Sequence, residues 1–285
     1  MVTYKRRMLM LVAGLFLLGL IGGCSGGSGG AGDEKKSGKA DGEGKVIIDK
    51  TLGKSDTKNA RLVMPSPDQM LTALSILGDP DWESLVDPVK ELKYDSKSQT
   101  AIVMGIKLGH FFVWVNSKKK KKSLKALDDI VAMSKALEIE TPEKELKRVR
   151  EQLEEKKWLA MREDFLKMNV SLQNDLIKRQ KKPDLAMLIS LGAYIEGANM
   201  GAKAIADDYG KGRAMILQQA DLLREAKRST KGTLDQDDKF VKLVYKAFDK
   251  MIELMETKEG KAVSKKNAEK IHKQAKKTRD EIIKG

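Results

Sequence analysis

Histidine is almost absent from this sequence of 285 residues, which contains only His110 and His272. The two lie far apart, and neither belongs to a metal-binding spacing such as H-E-x-x-H. Acidic residues mostly accompany lysine or arginine at helical spacing, which is typical of surface ion pairs and indicates no catalytic carboxylate pair. We therefore expect no catalytic residue, metal or cofactor, and we expect His110 to be a packed or capping side chain.

Aromatic residues are also scarce, at 5% of the sequence against 34% charged residues. Few segments alternate apolar and polar residues with period two, whereas helical periodicity recurs along the chain. This pattern predicts an all-α fold of stacked αα-hairpins, either a helical bundle or a short solenoid-like array.

Cysteine occurs once, at the end of an apolar N-terminal segment. Basic residues 5–7 precede an apolar stretch, 8–21, which is too short to span a bilayer comfortably. The residues that follow resemble the lipobox of bacterial lipoproteins: Leu20, Ile21, Gly22, Gly23 and Cys24. The resemblance implies that Cys24 carries a covalent lipid and that residues 1–23 are a removed signal peptide. An ordinary secretory signal beside an incidental cysteine is the alternative.

The segment after Cys24 is predicted to be a flexible tether. Residues 24–45 are rich in Gly, Ser, Lys, Asp and Glu and cannot bury a core. The folded domain is then expected over 46–285, with a possible subdivision near 140–183. In the resembled family an Asp after the cysteine often retains the protein in the inner membrane, so Ser25 favours the outer membrane, on its periplasmic side or exposed at the cell surface.

Capping signals and apolar stripes predict the helices of this domain. Two early helices are expected after Ser66 and after Thr141, the second with a bend or a new helix at 154–157. The later helices are predicted as follows: one from Pro183 to about Asp207, one from Ala214 to about Arg228 after a turn at Gly210 and Gly212, one after a capping box at Thr233–Gln236, and one from Ser264.

Residues 100–116 are ambiguous. Phe111–Val115 has strong β propensity, and residues 107–109 could turn a hairpin. Against this, Val103, Lys107 and His110 share one helical stripe that leaves the rest of the surface apolar. We favour a central buried helix over the hairpin.

Small residues recur at helical spacing in the helix after Pro183. Gly192, Ala193, Gly197 and Gly201 predict close packing against another helix, with a ligand groove or a partner helix as the alternative. Glu196 stands out among them. It is expected to be exposed or paired, because a buried carboxylate needs a partner.

Residues 192–197, with the two helix pairs of the body, resemble a group of all-helical lipoproteins of Gram-negative bacteria that has no established activity. The two pairs, which begin near Leu108 and Leu191, suggest a weak internal duplication. The resemblance supports the all-helical prediction and implies no site residues.

Positive charge is concentrated in two segments. The chain has 55 Lys and Arg against 41 Asp and Glu, for a net charge of +14. The basic residues that could bind an anionic surface are Lys118, Lys119, Lys120, Lys121, Lys122, Lys265, Lys266, Lys270, Lys273, Lys276 and Lys277. Attraction to anionic headgroups is one interpretation of these lysines, and a solvated loop is the other for 118–122.

Three functional hypotheses follow. The first is a non-enzymatic, lipid-anchored envelope protein whose helical-hairpin surface binds or scaffolds another envelope component. The second is a basic module that binds anionic lipid, lipopolysaccharide or an acidic polymer. The third is an enzyme whose site is dispersed, marked by a pocket around Glu196 or His110. Nucleic acid is not expected as a partner of an exported lipoprotein.

Overall fold

The computed structural model describes residues 73, 80–89, 96–140, 143–258 and 261–285. Within these residues the fold is all-α and contains no strand. The long helices are α1 (Lys97–Asn116), α2 (Lys120–Ala136), α3 (Glu143–Glu154), α4 (Trp158–Lys178), α5 (Pro183–Asp207), α6 (Ala220–Thr230), α7 (Lys239–Met255) and α8 (Lys265–Lys284). The predicted fold class is confirmed.

The first four helices end in tight left-handed turns. A non-glycine residue with positive φ follows each helix: Lys118, Glu138, Lys156 and Lys181. After α1, for example, the Lys119 amide donates to the Trp114 carbonyl at 2.8 Å. This closure is the Schellman motif, which satisfies the last carbonyls of a helix and reverses the chain. Successive helices therefore follow one another as short-linked hairpins.

Helices α1 and α5 form the centre of the fold. From residue 99 to 113 every position of α1 is buried, so residues 100–116 are helical and the hairpin alternative is wrong. The helices cross at two glycines. A Cβ on Gly192 would lie 1.9 Å from the Ile102 carbonyl oxygen, and a Cβ on Gly105 would lie 2.0 Å from the Ile189 carbonyl oxygen. Only glycine allows the two backbones to approach this closely.

Helices α3 and α4 are separate, as the irregular spacing at 154–157 suggested. Phe165 of α4 packs against α1, with ring-centroid distances of 4.2 Å to Phe111 and 5.2 Å to Phe112. Through this aromatic cluster, the α3–α4 hairpin packs against the central helix.

Two sequence-based predictions about the second half are corrected. The helix expected from Ala214 is interrupted: residues 211–214 form one turn, Met215–Leu217 is a 3₁₀ turn, and α6 begins only at Ala220. Gln219 lies at the break, where its side chain accepts a hydrogen bond from the Tyr194 hydroxyl at 2.9 Å and donates to the Ile216 carbonyl. These side-chain hydrogen bonds take the place of the backbone hydrogen bonds that a continuous helix would form here.

The capping box predicted at Thr233 is also wrong. Residues 233–238 are not helical, and α7 starts five residues later, where the Asp238 carboxylate accepts from the amides of Phe240 and Val241 at 2.8 and 3.1 Å. Helix α8, in contrast, begins where Ser264 predicted it, with the Ser264 hydroxyl accepting from the Asn267 amide.

The lipobox, the tether and the helix expected after Ser66 lie outside the described residues. No helix in the described ranges is long and apolar enough to cross a membrane.

Candidate functional site

A buried polar cluster joins α1, α5 and α8 around Glu196. The Glu196 carboxylate is 0% exposed and lies 2.7 Å from His110 Nε2 through Oε1. Its Oε2 lies 2.9 Å from Nε of Arg279, an ion-pair distance, although that N–H is not aligned for a hydrogen bond. Asn199 donates its side-chain amide to Oε2 at 3.3 Å. Two hydrogen-bonding side chains and one guanidinium, from three helices, thus surround one carboxylate.

The backbone makes room for this carboxylate. Gly109 of α1 faces Glu196, and a Cβ at position 109 would lie only 3.2 Å from Cγ of Glu196. Glu196 and Asn199 lie about one turn apart on α5, so both side chains reach the same point between the helices. Sequence analysis singled out Glu196 and His110, but it missed Arg279, whose long side chain comes from a helix far away in the sequence.

Helix α8 also holds the segment 86–89. The Arg279 guanidinium donates to the Asp87 carbonyl and, through Nη1, to the Asp280 carboxylate at 2.7 Å. Lys276 forms an ion pair with the Asp87 carboxylate. Burial opposes ionisation of Asp87, but Lys276 and Arg279 outweigh it and lower the Asp87 pKa.

Electrostatics keep the Glu196 carboxylate ionised. Burial alone would raise its pKa, but the charges of Arg279 and His110 and the hydrogen bonds from His110 and Asn199 lower the Glu196 pKa below its ordinary value. An ionised carboxylate only accepts, so His110 Nε2 carries the proton in this contact. A carboxylate held in this way is poorly suited to accept a substrate proton.

His272 does not join the Glu196 cluster directly. Its Nδ1 donates to the Asn199 carbonyl at 3.1 Å. Burial lowers the His272 pKa, the hydrogen bond to Asn199 opposes that effect, and the charge of Lys203 adds to it. Both histidines are therefore engaged in packing contacts between helices.

Two clefts among the described residues do not give solvent access to this cluster. One is a narrow apolar crevice of about 20 Å³ lined by Met104, Leu108 and Phe165, among others. The other, of about 200 Å³, lies between α2 and α3 and is lined by Leu127, Lys135 and Arg150, among others. Neither is lined by Glu196 or His110. Among the described residues no group of three or more His, Cys, Asp or Glu could hold a metal ion.

The small residues of α5 occupy its buried surface. Gly192 lies at the crossing with α1, and Ala193, Gly197 and Gly201 are buried along the same helix. The sequence analysis missed the glycine opposite Gly192, Gly105, although Gly105 and Gly109 lie four residues apart on α1, a spacing typical of close helix packing.

The lysines of 118–122 lie at the turn between α1 and α2, and several contact the rest of the fold. Lys119 and Lys122 both pair with Glu83, at 2.5 and 3.5 Å. Lys122 also lies 4.2 Å from the centre of the Trp114 ring, and Lys120 donates to a backbone carbonyl of α3. Some of these lysines therefore form contacts with neighbouring segments of the fold, and part of their charge is neutralised there.

The lysines of α8 divide into two groups. Lys276 is half-buried and paired with Asp87, so it belongs to the packing of segment 86–89. The other α8 lysines named from the sequence are exposed: Lys265, Lys266, Lys270, Lys273 and Lys277.

Compared with known proteins, the chain matches no family model, no curated protein sequence and no solved structure. Its function is therefore argued from its own residues.

Proposed function

We propose that the chain is a lipid-anchored, non-enzymatic protein of the bacterial cell envelope whose helical body binds or scaffolds another envelope component. The anchor is the lipid on Cys24, and the outer membrane is its proposed location. The observation that carries the non-enzymatic part is the Glu196 cluster. Its charged groups are almost fully buried and form ion pairs with one another between three helices, an arrangement that favours a structural role over a substrate site.

The anchor is tested by intact mass. Protein extracted from membranes is compared with a Cys24→Ala variant, and both are fractionated. A lipid-sized mass increase on a chain that begins at Cys24, lost in the variant, is the expected result. A water-soluble, unmodified chain would contradict the proposal and return the search to freely secreted or cytoplasmic roles.

A protein partner is favoured by the outer face of α4. Leu159 is 72% exposed and Val170 is 60% exposed, whereas most other large apolar side chains in the described part of the chain are covered. At eleven residues apart the two side chains lie on the same face of α4, and an exposed apolar face is a candidate site for a protein contact.

A photo-crosslinking residue placed at 159 or 170 tests this surface in cells, with the exposed position 253 of α7 as the matched control. We expect one common product at the α4 positions and none at 253, and loss of that product in a chain with Val170→Lys. Identical products from α4 and α7 would refute a specific surface on α4.

A further inference from the structure

One face of α8 carries a straight row of lysines. The buried side chains of this helix recur every three or four residues and include Ala268, Ile271 and Ala275. At 100° per residue, the opposite direction is occupied by Lys266, Lys270, Lys273, Lys277 and Lys284, which are all exposed. From 266 to 284 the row is about 27 Å long at the rise of an α-helix. We name these five residues the α8 lysine row.

Little of this charge is neutralised within the described residues. Lys277 has one weak partner on its own helix, Glu281 at 3.7 Å. No ion pair there involves Lys266, Lys270 or Lys273. The contrast with 118–122 is clear, because two of those lysines share Glu83. Like charges in a row repel one another, so the row costs stability unless an external anionic surface offsets it.

The form of the row indicates a flat partner with diffuse negative charge. Lysine ammonium groups act as point charges, whereas bidentate recognition of individual phosphates or carboxylates favours arginine, and the row contains none. Basic residues near an anionic bilayer each gain about 1 kcal/mol, and the gain requires no shaped pocket. A bilayer surface also extends along the full length of the helix.

We propose that the α8 lysine row lies against anionic phospholipid headgroups and forms a second, electrostatic attachment of the body to the membrane. The proposal rests on the proposed function, since a lipid on Cys24 keeps the body at high effective concentration beside the bilayer. The lipid anchor then holds the chain, and α8 sets which face of the body is turned toward the membrane. The opposite side remains available for protein contacts.

The test measures co-sedimentation of the mature chain, residues 24–285 with Cys24→Ala and without the apolar signal segment, with phosphatidylcholine vesicles, with and without phosphatidylglycerol. The row variant replaces Lys266, Lys270, Lys273 and Lys277 by glutamine. The matched control replaces four exposed lysines of the neighbouring helix α7 by glutamine, so that net charge falls equally: Lys239, Lys242, Lys246 and Lys250. Far-UV circular dichroism checks that both fold.

We expect the unsubstituted row to bind only the phosphatidylglycerol vesicles and to be released by salt. The row variant should bind them roughly several hundredfold more weakly, since each of the four lysines contributes about fivefold. The α7 control should lose less than about tenfold. Equal losses in the two variants, or binding that ignores phosphatidylglycerol, would overturn the α8 assignment.

The two proposals fail separately. Because the vesicle experiment uses a chain that cannot be acylated at position 24, its outcome does not depend on the mass measurement. Full membrane anchoring of the wild-type chain together with no phosphatidylglycerol binding would reject the lysine row alone. Displacement from the vesicles by an acidic polysaccharide at equal charge, with tighter binding to the polysaccharide, would assign the row to that polymer and reject the lipid proposal.

Discussion

Substitution of Glu196 by glutamine should destabilise the fold more than almost any other single change of charge. Glutamine has nearly the same shape, so packing is preserved, but the buried Arg279 guanidinium 2.9 Å away loses its one fully buried counter-charge and keeps only the partly exposed Asp280. The Glu196 and Arg279 side chains are at most 3% exposed, so water cannot replace the lost interaction. Removing one partner of such a buried pair typically costs about 3–5 kcal/mol, and we expect the lower end because glutamine can still accept from His110.

The same reasoning predicts a pH dependence. The Glu196 pKa is lower in the folded protein than its ordinary value of 4.5, so the unfolded chain binds the proton more readily. Stability from this group is therefore fully present above about pH 4.5 and is lost as the pH falls through the folded-state pKa. In the Glu196→Gln variant, this part of the acid sensitivity should disappear.

Urea denaturation followed by far-UV circular dichroism measures both effects, at neutral pH and at a series of acidic pH values. Asp249→Asn is the control, because its ion pair with Lys227 is exposed and should contribute no more than about 1 kcal/mol. A double variant with Glu196→Gln and Arg279→Met should recover much of the lost stability, since both buried charges are then gone. If the free energy of unfolding of Glu196→Gln lies within about 1 kcal/mol of the wild-type value, the Glu196 cluster does not stabilise the fold as proposed.

Three further substitutions test the packing. Gly192→Ala should lower the free energy of unfolding by at least about 2 kcal/mol, because the new Cβ would lie 1.9 Å from a carbonyl oxygen of α1. The control Gly212→Ala should be nearly neutral, because nothing lies within 4 Å of a Cβ there. Similar effects of the two substitutions in a thermal melt would contradict the close crossing. Phe165→Ala should cost about 3–5 kcal/mol, since its ring is fully buried against two others, and a smaller loss would show that α4 packs loosely on α1. Lys156→Gly should stabilise the chain by about 0.5–1 kcal/mol, because φ is 59° at that position; a lowered urea midpoint would argue against the left-handed turn.

Helix identity was largely readable from the sequence because it depends on local periodicity. Phe111–Val115 has strong β propensity in isolation, yet it is helical because α1 is covered on all sides by other helices, and burial outweighs propensity. The starts at Pro183 and Ser264 were correct because each is set by one residue and its neighbours within a turn.

Helix ends were less predictable. Lysine and glutamate take the left-handed positions after α1 to α4, where glycine is usual, so no residue type marked these turns. The start of α7 was missed because Thr233 and Asp238 both offer capping oxygens, and the structure uses Asp238, whose carboxylate accepts from the amides of Phe240 and Val241.

The candidate site, too, could be predicted only in part from the sequence. The sequence marked Glu196 as unusual in its apolar surroundings, and it left open whether the side chain is exposed or paired. Its main partner, Arg279, could not be identified, because contacts between distant helices leave no trace in the spacing of one sequence. At the crossing of α1 with α5, the sequence analysis identified Gly192 as a packing residue but did not identify Gly105.

The pairing of Glu196 with Arg279 also orders events during synthesis. The ribosome makes α1 and α5 long before α8, so the carboxylate exists for that interval without its arginine. Closing the contact of α1 with α5 around a buried carboxylate that has His110 and Asn199 but lacks its arginine is unfavourable, and the nascent body should therefore stay open until its last helix arrives. For a chain proposed to be exported, such a delay would keep the polypeptide in the unfolded form that translocation requires, and it would make completion of α8 the signal for the core to close.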